Sequence, residues 1–245
     1  MSLLLSFAHP DDESFFTVGV ARQAVEAGRE VVLCCATLGQ RGSVGNPPLT
    51  TIEELPAMRE QELRAAAEIL GVTRLEILPY EDRKLAEAPA DEIRASLVGL
   101  IREHRPLIVI TFEPNGGNLH PDHIAISRFT SDAVTAAADA RWHPELGSPY
   151  RVPRLLWVGS LMPWDETDRD RLAASPGVDF LIDIERWSET KRQALTVHRT
   201  QHQSIGRVFL SRPDLDAILR HETFRLAAGE PPEAIPAGDL FAGLL

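Results

Sequence analysis

Apolar runs of strand length alternate with helical periodicity along most of the chain. Residues 2–8 (SLLLSFA) read as a first strand and 14–28 (SFFTVGVARQAVEAG) as a helix stopped at Gly28. Residues 30–38 (EVVLCCATL) read as a second strand, followed by a Gly/Pro-rich loop at 39–48 (GQRGSVGNPP). The spacing predicts helices over 56–71, 89–104, 123–139 and 187–201. It predicts further strands over 75–80, 106–113, 154–161 and 179–185. No internal repeat or low-complexity tract interrupts this order.

Strands that are apolar on both faces and alternate with helices belong to a parallel sheet covered on both sides. The expected fold is therefore α/β, a Rossmann-like doubly wound and mostly parallel sheet. Right-handed crossovers put the first and fourth strands side by side at the switch point, where such sheets bind ligands beyond the carboxyl ends of their strands. One domain over 1–245 is expected, with a core at 1–140 and additional strands and helices at 141–245 completing it.

Composition narrows the partners. A net charge of -11 argues against nucleic acid or an anionic membrane surface. Cys34 and Cys35 are neighbours in a strand, where successive side chains point to opposite faces. They cannot readily pair, and a reduced cytoplasmic setting follows. The apolar start (LLLSFA) lacks a cationic flank and is too short for a signal peptide or a membrane span.

Two short segments carry the chemistry. HPDDE (9–13) stands at the carboxyl end of the first strand and HPDH (120–123) after the fourth, so the topology opens both into one crevice. An aspartate N-cap and an acidic first turn account for one carboxylate at each helix start. They do not account for His9, His120 and His123. Two imidazoles and one carboxylate make a three-ligand metal site with a position open for water. Asp11 and Asp12 cannot both face one ion from extended backbone, so one ligates and the other is left as a base. The same ligand set occurs in non-haem iron oxygenases; the spare carboxylate and the parallel sheet favour a hydrolase. In HPDH, an aspartate on the far ring nitrogen would hold an imidazole oriented and cationic, able to stabilise an oxyanion and protonate a leaving amine.

At these residues the sequence resembles the PIG-L (LmbE-like) family of zinc-dependent N-acetylglucosamine de-N-acetylases. The resemblance implies that His9, Asp12 and His123 ligate one Zn2+ per chain, with Fe2+ or another divalent ion open. It implies Asp11 as general base and His120 as the acid, with Asp122 behind it. REQELRAAAEILGV resembles the family's R-x-x-E helix, so Arg59 matches a substrate-contacting arginine; alone, Arg59 with Glu62 three residues on reads as a surface ion pair. EDRKL makes Asp82 the match for an aspartate that contacts sugar hydroxyls, and KRQALTVHRTQ brings His198 toward the pocket. The implied partner is a small N-acetylated sugar conjugate, and homo-oligomers are common in the family. One departure stands out: where some sugar-thiol members carry a helper tyrosine, this chain has Asn118.

Other readings fit less well. A dinucleotide-binding protein needs a glycine-rich first loop, where this chain has HPDDE, and carboxylates there repel a pyrophosphate. GQRGSVG lacks the fingerprint context and reads as a mobile rim over the crevice. No G-x-S-x-G elbow supports a serine hydrolase. A non-catalytic metal- or sugar-binding protein and a metal-dependent amidase on a non-sugar substrate are the alternatives.

Overall fold

The computed structural model describes residues 2–244. Five parallel strands carry the sheet: β1 (Ser2–Phe7), β2 (Glu30–Thr37), β3 (Arg74–Tyr80), β4 (Pro106–Phe112) and β5 (Arg154–Val158). Two more, β6 (Phe180–Asp183) and β7 (His221–Gly229), extend it beyond β5, with β7 antiparallel to both neighbours. The order is β3-β2-β1-β4-β5-β7-β6. β1 and β4 are adjacent, with Leu4 opposite Val109, so the switch point lies where strand alternation puts it. Every residue of β1 is buried, as the two-sided apolar pattern requires.

The α-helices of five or more residues are α1 (Asp12–Phe16), α2 (Val18–Glu26), α3 (Leu55–Leu70), α4 (Ala90–His104), α5 (Pro121–Ala137), α6 (Arg169–Ala174) and α7 (Ser188–Val197). α4 packs with α5, and both α2 and α3 pack with α7. Right-handed crossovers place these two groups on opposite faces of the sheet.

Two differences from the sequence pattern have physical causes. The helix expected over 14–28 is broken at Thr17, whose backbone leaves the helical region. Glu222 of β7 caps the new start, accepting from the Gly19 and Val20 amides at 3.1 and 3.0 Å and pairing with Lys191 of α7 at 2.9 Å. Gly19 is required at this break, because a Cβ would fall 2.0 Å from a methyl of Ile184. The other difference is β7 itself. Its charged residues hide a strand, and Glu222 is buried only because the helix start and Lys191 satisfy it.

Candidate active site

Four parallel strands deliver their following loops to one cavity of about 230 Å3. β1 supplies His9, Asp11 and Asp12; the loop after β2 supplies Arg41 and Gly42; that after β3 supplies Asp82 and Arg83; β4 and the start of α5 supply Asn118, His120 and His123. Arg59 of α3 reaches the same space, as do Gln201 and Ser204 beyond α7.

His9, Asp12 and His123 turn donor atoms toward one another. His9 Nδ1 lies 3.2 Å from His123 Nε2, which lies 3.4 Å from Asp12 Oδ1; Asp12 Oδ2 is 3.8 Å from His9 Nδ1. The amides of Ala8 and His9 fix the Asp12 carboxylate, at 3.2 and 2.9 Å from Oδ2. The His123 ring stacks on Phe112, centroids 3.9 Å apart, and its Nδ1 donates to the Gly116 carbonyl at 3.0 Å, which leaves the lone pair on Nε2.

On its other side, His9 Nε2 faces Asp122 Oδ2 and Asp82 Oδ1, each at 3.2 Å. That edge also gathers donors, with His9, Asp82, His120 and Asp122 within 4.8 Å of one another. Its carboxylates are already engaged, however. Asp122 accepts from the Arg83 and Leu85 amides, and Asp82 from the Arg41 amide at 2.9 Å. Among the described residues Asp12 Oδ1 takes no backbone amide, so the face with an open carboxylate oxygen is the one shared by His9, Asp12 and His123, with a His120 ring nitrogen within 4.8 Å of the donor atoms of both histidines.

The electrostatics follow from this packing. Burial disfavours a charged His9, but the hydrogen bonds to Asp122 and Asp82 and the nearby negative charge of Asp12 prevail, raising its pKa to about 9. Burial and the charge of His9 push His123 down to about 3. One positive charge thus suits this three-donor face, carried by a proton on His9 or by a cation. Two lone pairs and a carboxylate that converge with fixed orientation are the donor set of a divalent metal.

Asp11 has a different partner, Arg59. The Asp11 φ of 109° lies in the left-handed region, which an aspartate adopts only when neighbours impose it. The Glu13 carboxylate accepts the Asp11 amide at 3.1 Å and thereby fixes that turn. The Asp11 carboxylate lines the cavity, 3.4 Å from Arg59 Nη2. Burial raises its pKa above the usual carboxylate range; Arg59 opposes the shift and Asp12 adds to it. Adjacent aspartates on one cavity wall thus take different partners, Asp12 the His123 ring and Asp11 the Arg59 guanidinium, through backbone conformation and not extended-chain alternation.

Arg59 is buried and donates to the carbonyls of Gly39 and Pro10. It does not form the surface pair with Glu62 that helical spacing suggests; Glu62 is buried too and accepts from Thr200 N and Oγ1 at 2.8 and 2.7 Å. Gly39 has φ +59° and lies so close to the guanidinium that a Cβ would stand 1.8 Å from Nη1.

Three expectations are corrected in detail. The Asp122 carboxylate bonds His9, not His120. His120 instead caps α5, its Nδ1 accepting the Asp122 amide at 3.2 Å. An accepting Nδ1 means a neutral ring, and burial with the charges of His9 and His123 lowers its pKa further, so the cationic state expected at HPDH is not what this packing favours. Asp82, expected to meet sugar hydroxyls, is buried against His9 while still lining the cavity. His198 is fully buried and lies outside the cavity wall, with Nε2 2.8 Å from Glu13 Oε1.

Sequence reasoning missed Arg41, Arg83, Gln201 and Ser204 in the cavity wall. Gln201 ties the segment after α7 to the rim loop through the Ser43 carbonyl at 2.9 Å. A glutamine near a helix end carries no sequence signal for that contact.

Known proteins resemble this chain in sequence and in fold. Residues 4–134 match the model of the family described as GlcNAc-PI de-N-acetylase, PIG-L. A Rhodococcus jostii protein named 1D-myo-inositol 2-acetamido-2-deoxy-alpha-D-glucopyranoside deacetylase is 32% identical over 287 aligned positions, covering 99% of this chain and 98% of its own. A conserved protein from Thermus thermophilus has a similar structure, with TM-score 0.72, 25% identity and coverage of 96% and 98% of the two chains. The N,N'-diacetylchitobiose deacetylase of Pyrococcus horikoshii shares the fold at TM-score 0.71 and 21% identity, over 92% of this chain and 83% of that one. With HPDDE and HPDH converging at the switch point, the chain belongs to the PIG-L family of de-N-acetylases.

Proposed function

We propose that this chain is a metal-dependent amide hydrolase that removes the acetyl group from an N-acetylglucosamine-type conjugate. The observation that carries the reading is the three-donor face of His9, Asp12 and His123, spaced 3.2–3.8 Å apart, with the cavity-facing Asp11 beside it. Names of similar proteins support the substrate class.

His9, Asp12 and His123 would hold the ion, and an N,N,O set with an open position suits Zn2+. When bound, it supplies Lewis-acid polarisation of the amide carbonyl and acidifies water. The chain's own residues do the rest. Asp11 takes a proton from the attacking water at its cavity-facing carboxylate. The water oxygen adds to the acyl carbon, the C–N bond breaks, and acetate and a free amine leave. With Nδ1 held by the Asp122 amide, the neutral His120 ring offers its Nε2–H as a hydrogen bond to the carbonyl oxygen, and the proton taken by Asp11 passes to the departing nitrogen. Asp122 and Asp82 hold His9 in the tautomer that turns Nδ1 to the ion. Arg41, Arg83 and Gln201 give the cavity a polar wall suited to a sugar.

Among the described residues no helix is long and apolar enough to cross a membrane, and both cysteines are free and buried. These features support a cytoplasmic setting. The test is a zinc-supplemented assay of free-amine release from N-acetylglucosamine conjugates. Acetate and amine in equal amounts, abolished by chelation, are expected; undiminished turnover after full metal removal contradicts the reading.

A further inference from the structure

His202 stands just beyond α7, and both nitrogens of its exposed ring face carbonyl oxygens. Nδ1 lies 2.9 Å from the Arg199 carbonyl of its own turn, and Nε2 lies 3.1 Å from the Asn46 carbonyl of the rim loop, 156 residues away in the chain. A carbonyl only accepts. A neutral imidazole carries one N–H and can satisfy one of these oxygens, so both bonds form together only on the imidazolium. The tie matters to the rim. Other elements hold Gly39, Gln40, Arg41 and Ser43, and among the described residues Asn46 is the last rim residue with such a bond before α3 begins. Pro47 and Pro48 follow it and have no N–H to donate.

We propose that His202 is a proton-operated latch: as the imidazolium it ties the rim loop to the turn after α7 and closes that side of the active-site cavity, and on losing its proton it releases the rim. The rim carries Arg41 and Gly42 into the cavity wall, and Gln201, the neighbour of His202, lines the same wall. The neutral ring keeps one bond. The Arg199 carbonyl is three residues away and costs little chain entropy to reach, so the bond given up is the one to Asn46. The linkage has one sign. The closed rim offers the ring two acceptors and the open rim one, so the closed form binds the proton more tightly and acid closes the latch. Imidazole is the side chain that changes charge between about pH 5 and 8. Among the described residues no carboxylate pairs with the ring. Of the charged groups around it, Arg41 pairs with Glu81, Arg59 with Asp11, Glu62 bonds Thr200, and Glu54 bonds the Thr50 and Thr51 hydroxyls. Glu53, Arg199 and Arg207 are exposed. The switch therefore rests on the ring and its two carbonyls, not on an ion pair.

The test reads the rim backbone and needs no turnover. Hydrogen exchange is followed at the amides of Gly42, Gly45 and Leu49, each bonded within the rim, and the His202 ring is titrated by NMR on the same protein. Protection, corrected for intrinsic exchange, should fall by about fivefold from pH 6 to pH 8, because the rim loses a bond from a charged donor. Its midpoint should match that of the His202 ring. His202→Gln has no titrating group at this position, and its rim protection should be the same at both pH values. Flat protection in the wild type, a midpoint apart from that of the ring, or a pH dependence that persists in His202→Gln overturns the latch. Failure to release amine from any N-acetylglucosamine conjugate would overturn the deacetylase reading instead and leave the exchange result to decide the latch.

Discussion

Asp122 turns its carboxylate to His9, Oδ2 lying 3.2 Å from Nε2, although the two residues stand 113 apart in the chain. The carboxylate thereby selects which nitrogen of His9 faces Asp12 and His123. Asp122→Asn should therefore weaken metal binding about 10–100-fold. Competitive titration with a zinc chelator checks this. Wild-type affinity in the variant would show that Asp122 does not govern the His9 donor.

Arg59 holds the rim and the cavity carboxylate together. It bonds the Gly39 carbonyl and stands 3.4 Å from Asp11. Its positive charge opposes the upward shift that burial gives Asp11. Arg59→Lys loses the planar fork and should lower kcat/KM by roughly tenfold with metal content unchanged. Arg59→Ala should move the acid limb of the pH–rate profile upward. The base must be deprotonated to act, and removing a nearby cation raises the pH at which its proton leaves. An unmoved acid limb would remove Arg59 from the control of Asp11.

His198 and Glu13 form a fully buried pair behind the Asp11 turn. Burial disfavours both charges, but each partner stabilises the other, so Glu13 is shifted down and His198 up. The Glu13 contribution to stability is present above its unfolded pKa and lost as pH falls through its lowered folded value. That of His198 is present below its unfolded pKa and lost as pH rises through its raised one. Stability from the pair is greatest between those limits. His198→Ala leaves a buried carboxylate unpaired and should cost about 3–5 kcal/mol. KM of the folded fraction should stay close to wild type, since His198 does not line the cavity. A large KM increase with unaltered stability would restore the substrate-contact role.

Cys34 and Cys35 are buried on β2. Burial pushes Cys34 up to about 12 and Cys35 well above the ordinary thiol value. Both should resist alkylation at pH 8 in the native protein and react on unfolding, as counted by mass spectrometry. Rapid native labelling of either would contradict the packing of β2.

The β1–β4 switch point was legible because two-sided burial leaves uninterrupted apolar runs such as LLLSFA and PLIVITF. Convergence of HPDDE and HPDH followed from topology. Partners set by tertiary contact were not legible. The break at Thr17 depends on Glu222, and Glu62 turns from Arg59 to Thr200, each more than 130 residues distant. β7 escaped notice because a strand with a buried glutamate contradicts pattern reading until Lys191 and the start of α2 are in place. A second cavity beside the first, about 300 Å3, draws on Phe15, Phe112 and Trp164, which are scattered along the chain and share no periodicity.

In the proposed function adjacent aspartates divide the work, Asp12 holding the ion and Asp11 moving the proton. Metal content and turnover measured together on Asp12→Ala and Asp11→Asn test it most directly. Asp12→Ala should lose both metal and activity. Asp11→Asn should retain about one zinc per chain while kcat falls on the order of 10²–10⁴-fold. Equal metal loss in both variants, or full turnover in Asp11→Asn, would contradict it.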